Sequence, residues 1–186
     1  MLKKVIAFVF ALTILIGCSA NSSIHTIDVA SSVADLSGYR IDNDTLQQID
    51  SATIHQIMDE NASAVIFFSR PSCPWCQLCM PEFVASVREK GQDLPIYYYD
   101  VTTTNQHELD DLIAIANRFD NLLDNDENGN VRFFVPCALA IVNGKAKEMH
   151  VATVESHTDF NVPLNDAQKE ELRNFYYDLF ALVTSK

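Results

Sequence analysis

The 186-residue chain carries 13 Lys and Arg against 25 Asp and Glu, a net charge of −12, and 48% of its residues are hydrophobic. Such acidity excludes nucleic acid as a partner, because phosphates need basic side chains, and it argues against the protein body lying on an anionic membrane surface. Length and apolar content suit one domain with a sizeable core.

Lys3 and Lys4 precede an apolar run from Val5 to Ile16. The run falls short of the roughly 20 residues a helix needs to cross a bilayer and has the form of a secretory signal peptide over residues 1–17. It ends in Leu15-Ile16-Gly17-Cys18, which resembles the lipobox of bacterial lipoproteins. That resemblance implies cleavage before Cys18, lipidation of Cys18, and an extracytoplasmic, membrane-anchored lipoprotein of the bacterial cell envelope. The alternative is an ordinary signal peptide cut near Ala20. Loss of Lys3 and Lys4 takes the net charge from −12 to −14, so acyl chains rather than charge would hold the protein at the membrane. A lipidated Cys18 also makes an odd cysteine count even, leaving Cys73, Cys76, Cys79 and Cys137 in a compartment that permits disulfides.

Residues 18–45 read as a polar tether and an irregular or short-strand lead-in, and 46–186 as the folded domain. Ile49, Ile54, Ile57 and Met58 suggest a short first helix ending near Asn61. Ala64-Val65-Ile66-Phe67-Phe68 is a β-branched and aromatic run expected to be a buried strand. Met80, Phe83, Val84 and Val87 then recur at helical spacing, predicting a helix over about 74–90 with Gly91 as its stop signal. Ile96 to Val101 is a second aromatic strand, so the segment forms a βαβ unit with a right-handed crossover. Leu109, Leu112, Ile113, Ala116 and Phe119 mark a third helix. A strand over 138–143 is followed by Asn143-Gly144, a hairpin signal, and by an antiparallel strand from about Ala146. Asn165 with Gln168 forms a capping box for a last helix, whose core face is Leu172, Phe175, Tyr176, Leu179 and Val183.

The stretch that carries chemistry is Arg70-Pro71-Ser72-Cys73-Pro74-Trp75-Cys76, set between the first strand and the second helix. This order places Cys73 at a helix N-terminus, where unpaired N–H groups and the helix dipole favour a thiolate. The thiolate is the attacking species in disulfide exchange, so Cys73 is the candidate nucleophile and Cys76, one turn on, the resolving thiol. Pro74 suits the first helical position. Arg70 could add positive charge near the thiolate, although an exposed, solvated arginine is the preferred reading.

The chain resembles the thioredoxin superfamily in these residues and in three others. Pro81 sits where that family kinks its active-site helix, Val135-Pro136 resembles its cis-proline, and the Asn143-Gly144 turn follows the next strand. The resemblance covers roughly residues 46 to 183. It implies an α/β thioredoxin-like fold, a central mixed sheet flanked by helices. It also implies substrate contacts at Trp75, Val135 and Pro136, with Val135 offering its backbone to an extended substrate segment.

Two departures stand out. The family's buried aspartate, six residues before the first cysteine, is Phe67 here, so no general base for Cys76 is identifiable. Cys79 and Cys137 are additional; two small buried residues are preferred over a second redox pair or a four-thiolate metal or iron–sulfur site. Residues 124–131 resemble half of a calcium loop, but position twelve is Val135, so a polar turn is preferred.

The sequence therefore points to a membrane-tethered, extracytoplasmic thiol–disulfide oxidoreductase acting on protein thiols through Cys73 and Cys76. It would need no cofactor and no metal, and a membrane or secreted redox partner would reset it. Among relatives, bacteriocin-transport accessory proteins look similar around the motif. A thiol-based metal carrier and a redox-inert accessory protein on the same fold remain alternatives, and the direction of electron flow is open.

Overall fold

Every residue of Ala64–Ser69 is buried, and a strand built from Ala, Val, Ile, Phe and Ser can hide both faces only at the centre of a sheet covered on both sides. The structure is a computed structural model that describes residues 24–184. The expected signal peptide, Cys18 and the first residues of the lead-in lie outside the described residues. The strands are β1 (Ser32–Val33), β2 (Gln47–Gln48), β3 (Ala64–Ser69), β4 (Ile96–Asp100), β5 (Cys137–Val142) and β6 (Lys145–Val151). They form one mixed sheet in the order β1-β2-β4-β3-β5-β6. β3 pairs parallel with β4 and antiparallel with β5, which pairs antiparallel with β6.

Period-two alternation splits the sheet's apolar residues between two cores. Val65, Phe67, Tyr98, Ala138 and Ala140 face α2 (Pro74–Ser86) and α4 (Asp166–Thr184). Ile66, Phe68, Cys137, Leu139 and Ile141 face α1 (Ser51–Asp59) and α3 (Gln106–Asn117). The result is a three-layer α/β arrangement, helices on both faces of a mixed sheet, with a thioredoxin-like fold. α2 runs directly into a π-helical turn over Val87–Gly91, so the continuous helix ends close to its expected stop.

Three expectations change. The domain was expected to start at residue 46, but Ala34, Leu36 and Tyr39 lie in the same core as Phe67. Composition hides this, because β1 and β2 are short and built from Ser, Val and Gln, and they enter the sheet by backbone pairing. In α3 the expected apolar face is rotated. Ile115 and Ala116, with Phe119 just beyond the helix, are buried, while Leu109 and Ile113, four apart on one outer stripe, are exposed. In α4 Phe180 joins the core and Phe175 is exposed at its edge, stacked on His150 at 4.3 Å.

The hairpin and the cap follow from local chemistry. Asn143 and Gly144 have φ of 50° and 73°, the left-handed pair a tight two-residue turn demands. The Gly144 N–H donates to the Ala62 carbonyl at 2.8 Å, and a Cβ here would collide with the Met58 carbonyl oxygen. Gly144→Ala is therefore expected to cost at least about 2 kcal/mol, from the conformation plus the clash, measured as a lowered urea midpoint. At α4, Asn165 accepts the Gln168 N–H at 2.9 Å, and its own N–H donates to the Gln168 side-chain oxygen at 3.0 Å. This is the reciprocal capping box. The acidic stretch after α3 is a polar turn in which the Asp126 carboxylate accepts the N–H groups of Asn128 and Asn130, both at 2.8 Å.

Candidate active site

Cys73 is the N-cap of α2, with extended backbone (φ −92°, ψ 119°) and Pro74 at the first helical position. Its sulfur accepts the Cys76 N–H at 3.3 Å, the place a capping Ser or Asp oxygen would take. The positive end of the helix dipole and this N–H both point at that sulfur. Across the site the Val135–Pro136 peptide bond is cis, and the Cys73 thiol lies 3.7 Å from the Val135 carbonyl oxygen. The arrangement brings Cys73, Cys76, Val135 and Pro136 together from two segments far apart in sequence. Cys73 is 8% exposed and Cys76 fully buried.

The two thiols differ in their surroundings. Burial pushes the Cys76 thiol up to about 12, and its contact with Cys73 adds to this, while the Ser69 hydroxyl and the Arg70 backbone N–H pull the other way. An attack by Cys73 therefore leaves Cys76 protonated until a proton acceptor serves it.

Trp75, between the cysteines, is half-buried. Its ring meets His157 edge-on at 5.6 Å and Phe160 at 5.7 Å. His157 donates from Nε2 to the Val162 carbonyl at 2.8 Å, so its Nδ1 accepts the Thr153 hydroxyl at 3.3 Å. Trp75 also borders a cleft of about 420 Å³ with His150, Thr153, His157 and Phe175. Phe133 packs on Phe68 at 5.2 Å, whereas Phe134 is 54% exposed beneath the Arg132 guanidinium. Arg70 is exposed.

Cys79 and Cys137 are both fully buried, which holds each thiol well above its ordinary range. They lie on opposite faces of the sheet, Cys79 among the residues under α2 and α4 and Cys137 among those under α1 and α3. The sheet separates them, so they form neither a pair nor a shared four-thiolate site. Cys137 fills apolar space, and the Cys79 thiol donates to the Ala152 carbonyl at 3.3 Å.

The sequence reading missed a buried cluster of hydroxyls beneath Cys76. Position 67 holds no acid: Phe67 stacks on Phe83 at 4.2 Å and meets Tyr176 edge-on at 6.0 Å. Two residues on, and so on the same face of β3, Ser69 is fully buried. The Tyr39 hydroxyl lies 2.7 Å from Ser69 Oγ and 3.4 Å from the Tyr98 hydroxyl. The lead-in that delivers Tyr39 is held against the motif by Gln77, whose side-chain amide donates to the Gly38 and Pro71 carbonyls at 3.0 and 2.7 Å. Gly38 has to be glycine there, since a Cβ would fall 2.8 Å from Pro71 Cβ. Alternation along β3 could have found Ser69; no local signal points to Tyr39.

His150 makes a separate contribution to stability. Burial holds its pKa below the ordinary 6.5, although Nε2 donates to the Thr153 carbonyl at 2.9 Å. The folded chain resists a proton that the unfolded chain accepts, so stability from this group is complete above pH about 6.5 and falls as pH drops below it. The urea midpoint is expected to fall between pH 7 and pH 5.5, and His150→Gln to remove part of that fall.

No family model matches the chain, and no curated protein matches it. Among solved structures it is similar to thioredoxin from Aeropyrum pernix, with 16% identity over 69% of this chain and 85% of that one and a TM-score of 0.42. Thioredoxin O2 from Arabidopsis thaliana in the oxidized state matches at 16% identity over 70% and 90% of the two chains, TM-score 0.41. The oxidised thioredoxin from Plasmodium falciparum matches at 13% identity over 69% and 96%, TM-score 0.39.

Proposed function

We propose that the chain is a thiol–disulfide oxidoreductase that acts on protein thiols through Cys73 and Cys76. The observation that carries this is the placement of the Cys73 sulfur at the N-cap of α2, accepting the Cys76 N–H and facing the Val135 carbonyl beside a cis proline. Cys73 thiolate attacks a substrate disulfide; its S–S bond breaks, one substrate sulfur leaves as thiolate, and a Cys73–substrate disulfide forms. Cys76 then displaces the second substrate sulfur and closes the Cys73–Cys76 disulfide. The reverse sequence oxidises a substrate dithiol. Trp75, Val135 and Pro136 form the substrate face, with the backbone of Val135 pairing an extended segment.

A signal peptide over 1–17 and lipidation at Cys18 would place the enzyme outside the cytoplasm on a bacterial membrane, served by a membrane or secreted redox partner. Similarity to bacteriocin-transport accessory proteins belongs to the same reading. The sheet standing between Cys79 and Cys137 weighs against a four-thiolate metal carrier. The test is trapping: Cys76→Ser should accumulate a mixed disulfide with protein substrates, released by reductant, and Cys73→Ser should not. Equal trapping by both variants, or by neither, would overturn the assignment. Trp75→Ala should lower kcat/KM for a protein disulfide about tenfold, the cost of one aromatic contact of about 1.4 kcal/mol. A small aromatic disulfide should be nearly unaffected.

A further inference from the structure

Three contacts and two stretches of covalent chain close a circuit that begins and ends on Cys73. The Cys73 thiol lies 3.7 Å from the Val135 carbonyl oxygen. Val135 is bonded to Pro136, whose carbonyl accepts the Ala152 N–H at 2.9 Å. The Ala152 carbonyl in turn accepts the Cys79 Sγ–H at 3.3 Å. Cys79 lies on α2, the helix that Cys73 caps, so helical backbone completes the loop.

Register explains how one residue makes both inner bonds. Cys137 and Val151 are paired at the end of the β5–β6 ladder, and the Ala152 N–H extends that pairing by one bond to Pro136. β6 ends at Val151, so the Ala152 carbonyl has no place in the ladder. At Ala152 the backbone turns left-handed, with φ of 66°, a conformation that is costly for any residue with a Cβ. Its carbonyl meets a thiol that is fully buried among apolar residues. Alanine or valine would fill that space without supplying a donor. Other bonds hold the same turn toward α4: His150 Nε2 donates to the Thr153 carbonyl at 2.9 Å, and the Thr153 hydroxyl meets His157 Nδ1 at 3.3 Å. Among the described residues, Cys79 alone hydrogen-bonds the turn to the helix that carries the dithiol.

We propose that Cys79 is a positioning residue: through Ala152 it fixes Val135 and Pro136 against Cys73, and so aligns a protein disulfide with the nucleophile. The inference rests on the dithiol reading above. One arm of the circuit carries the Val135 backbone that pairs with a substrate segment; the other carries the attacking sulfur. Without the Cys79 bond the two arms are free to part, and the substrate disulfide sits off line for attack. A small disulfide does not pair with Val135 and needs only access to Cys73, so it does not sense the change.

The test compares two disulfides with the full-length protein. One is insulin, reduced in turnover with dithiothreitol as the regenerating reductant. The other is dithiobis(nitrobenzoate), followed by stopped-flow release of the first equivalent of thionitrobenzoate. Cys79→Ala should lower kcat/KM for insulin about tenfold. That lies between the roughly twofold worth of a weak hydrogen bond and the roughly hundredfold cost of a misplacement of about 1 Å at a reacting centre. Its rate with dithiobis(nitrobenzoate) should stay within about twofold of wild type, well short of the tenfold that one lost contact would cost. Cys79→Ser keeps a donor and should recover most of the loss. Ala152→Val breaks the same link from the other side, because a β-branched residue resists a positive φ, and should give the same selective loss. It keeps the test decisive if alanine at the buried position 79 prevents folding. Equal falls in the two rates, no fall in either, or no recovery with serine would overturn the positioning role and leave the oxidoreductase standing. A wild-type protein that reacts with neither disulfide would overturn the dithiol reading itself.

Discussion

Replacing Cys73 by serine is expected to reduce disulfide exchange to the background of an unactivated thiol, a loss of at least about a thousandfold in kcat/KM. Cys73 is the only one of the four described cysteines at a helix N-cap, with its sulfur accepting a backbone N–H, and the only one not fully buried. Cys76, Cys79 and Cys137 are fully buried, and burial raises each of them, so none stands in as nucleophile. Serine keeps the cap, since its hydroxyl also accepts the Cys76 N–H, so the thermal midpoint should stay close to wild type. Activity lost with stability retained is the signature of chemistry at Cys73. A variant retaining more than about a tenth of wild-type kcat/KM would mean the chemistry lies elsewhere.

The largest effect on stability is expected at Phe67. Its ring is fully buried, stacked on Phe83 and edge-on to Tyr176, which itself meets Phe83 edge-on at 5.1 Å. Three rings from β3, α2 and α4 therefore share one contact, and this is where the helices of that layer are fastened to the sheet. Phe67→Ala removes the central ring and leaves a cavity, at a cost of about 3–5 kcal/mol. For a domain of this size that lowers the thermal midpoint by roughly 10 °C. Phe67→Asp, which would restore an acid to the strand beneath the dithiol, should be worse, because no partner awaits a charge among those rings. Circular dichroism melts of the two variants check both statements, and a midpoint within 2 °C of wild type for Phe67→Ala, equivalent to less than about 1 kcal/mol, would contradict them.

The elements that were legible before the structure share one property: their apolar pattern agrees with their final burial. Ala64–Ser69 reads as a buried strand and is one. The motif helix begins at Pro74, and Asn143-Gly144 turns the hairpin. Where pattern and burial part, the reading slips. Gln47–Gln48 and Ser32–Val33 enter the sheet through backbone hydrogen bonds, which polar side chains do not advertise. Leu109 and Ile113 fit a helical stripe but face outward, because α3 packs only the side that carries Ile115 and Ala116. The same limit applied at the site. The thiols and Trp75 follow from local order and the cis proline was expected only from the family resemblance, whereas Tyr39 and His157 reach the motif only through the fold, from 34 residues before Cys73 and 81 after Cys76. The absence of an acid at position 67 was visible in the sequence. The contact of the Tyr39 hydroxyl with Ser69 was not.

The most direct test of the central claim is the equilibrium reduction potential of the Cys73–Cys76 pair in the full-length protein, titrated against glutathione redox buffers. Alkylation and mass measurement would assign the thiols. The expected result is one reversible two-electron couple confined to these two cysteines, between roughly −270 mV, as in a thioredoxin-type reductase, and roughly −120 mV, as in a disulfide donor. A pair that shows no reversible oxidation at any poise would contradict the account.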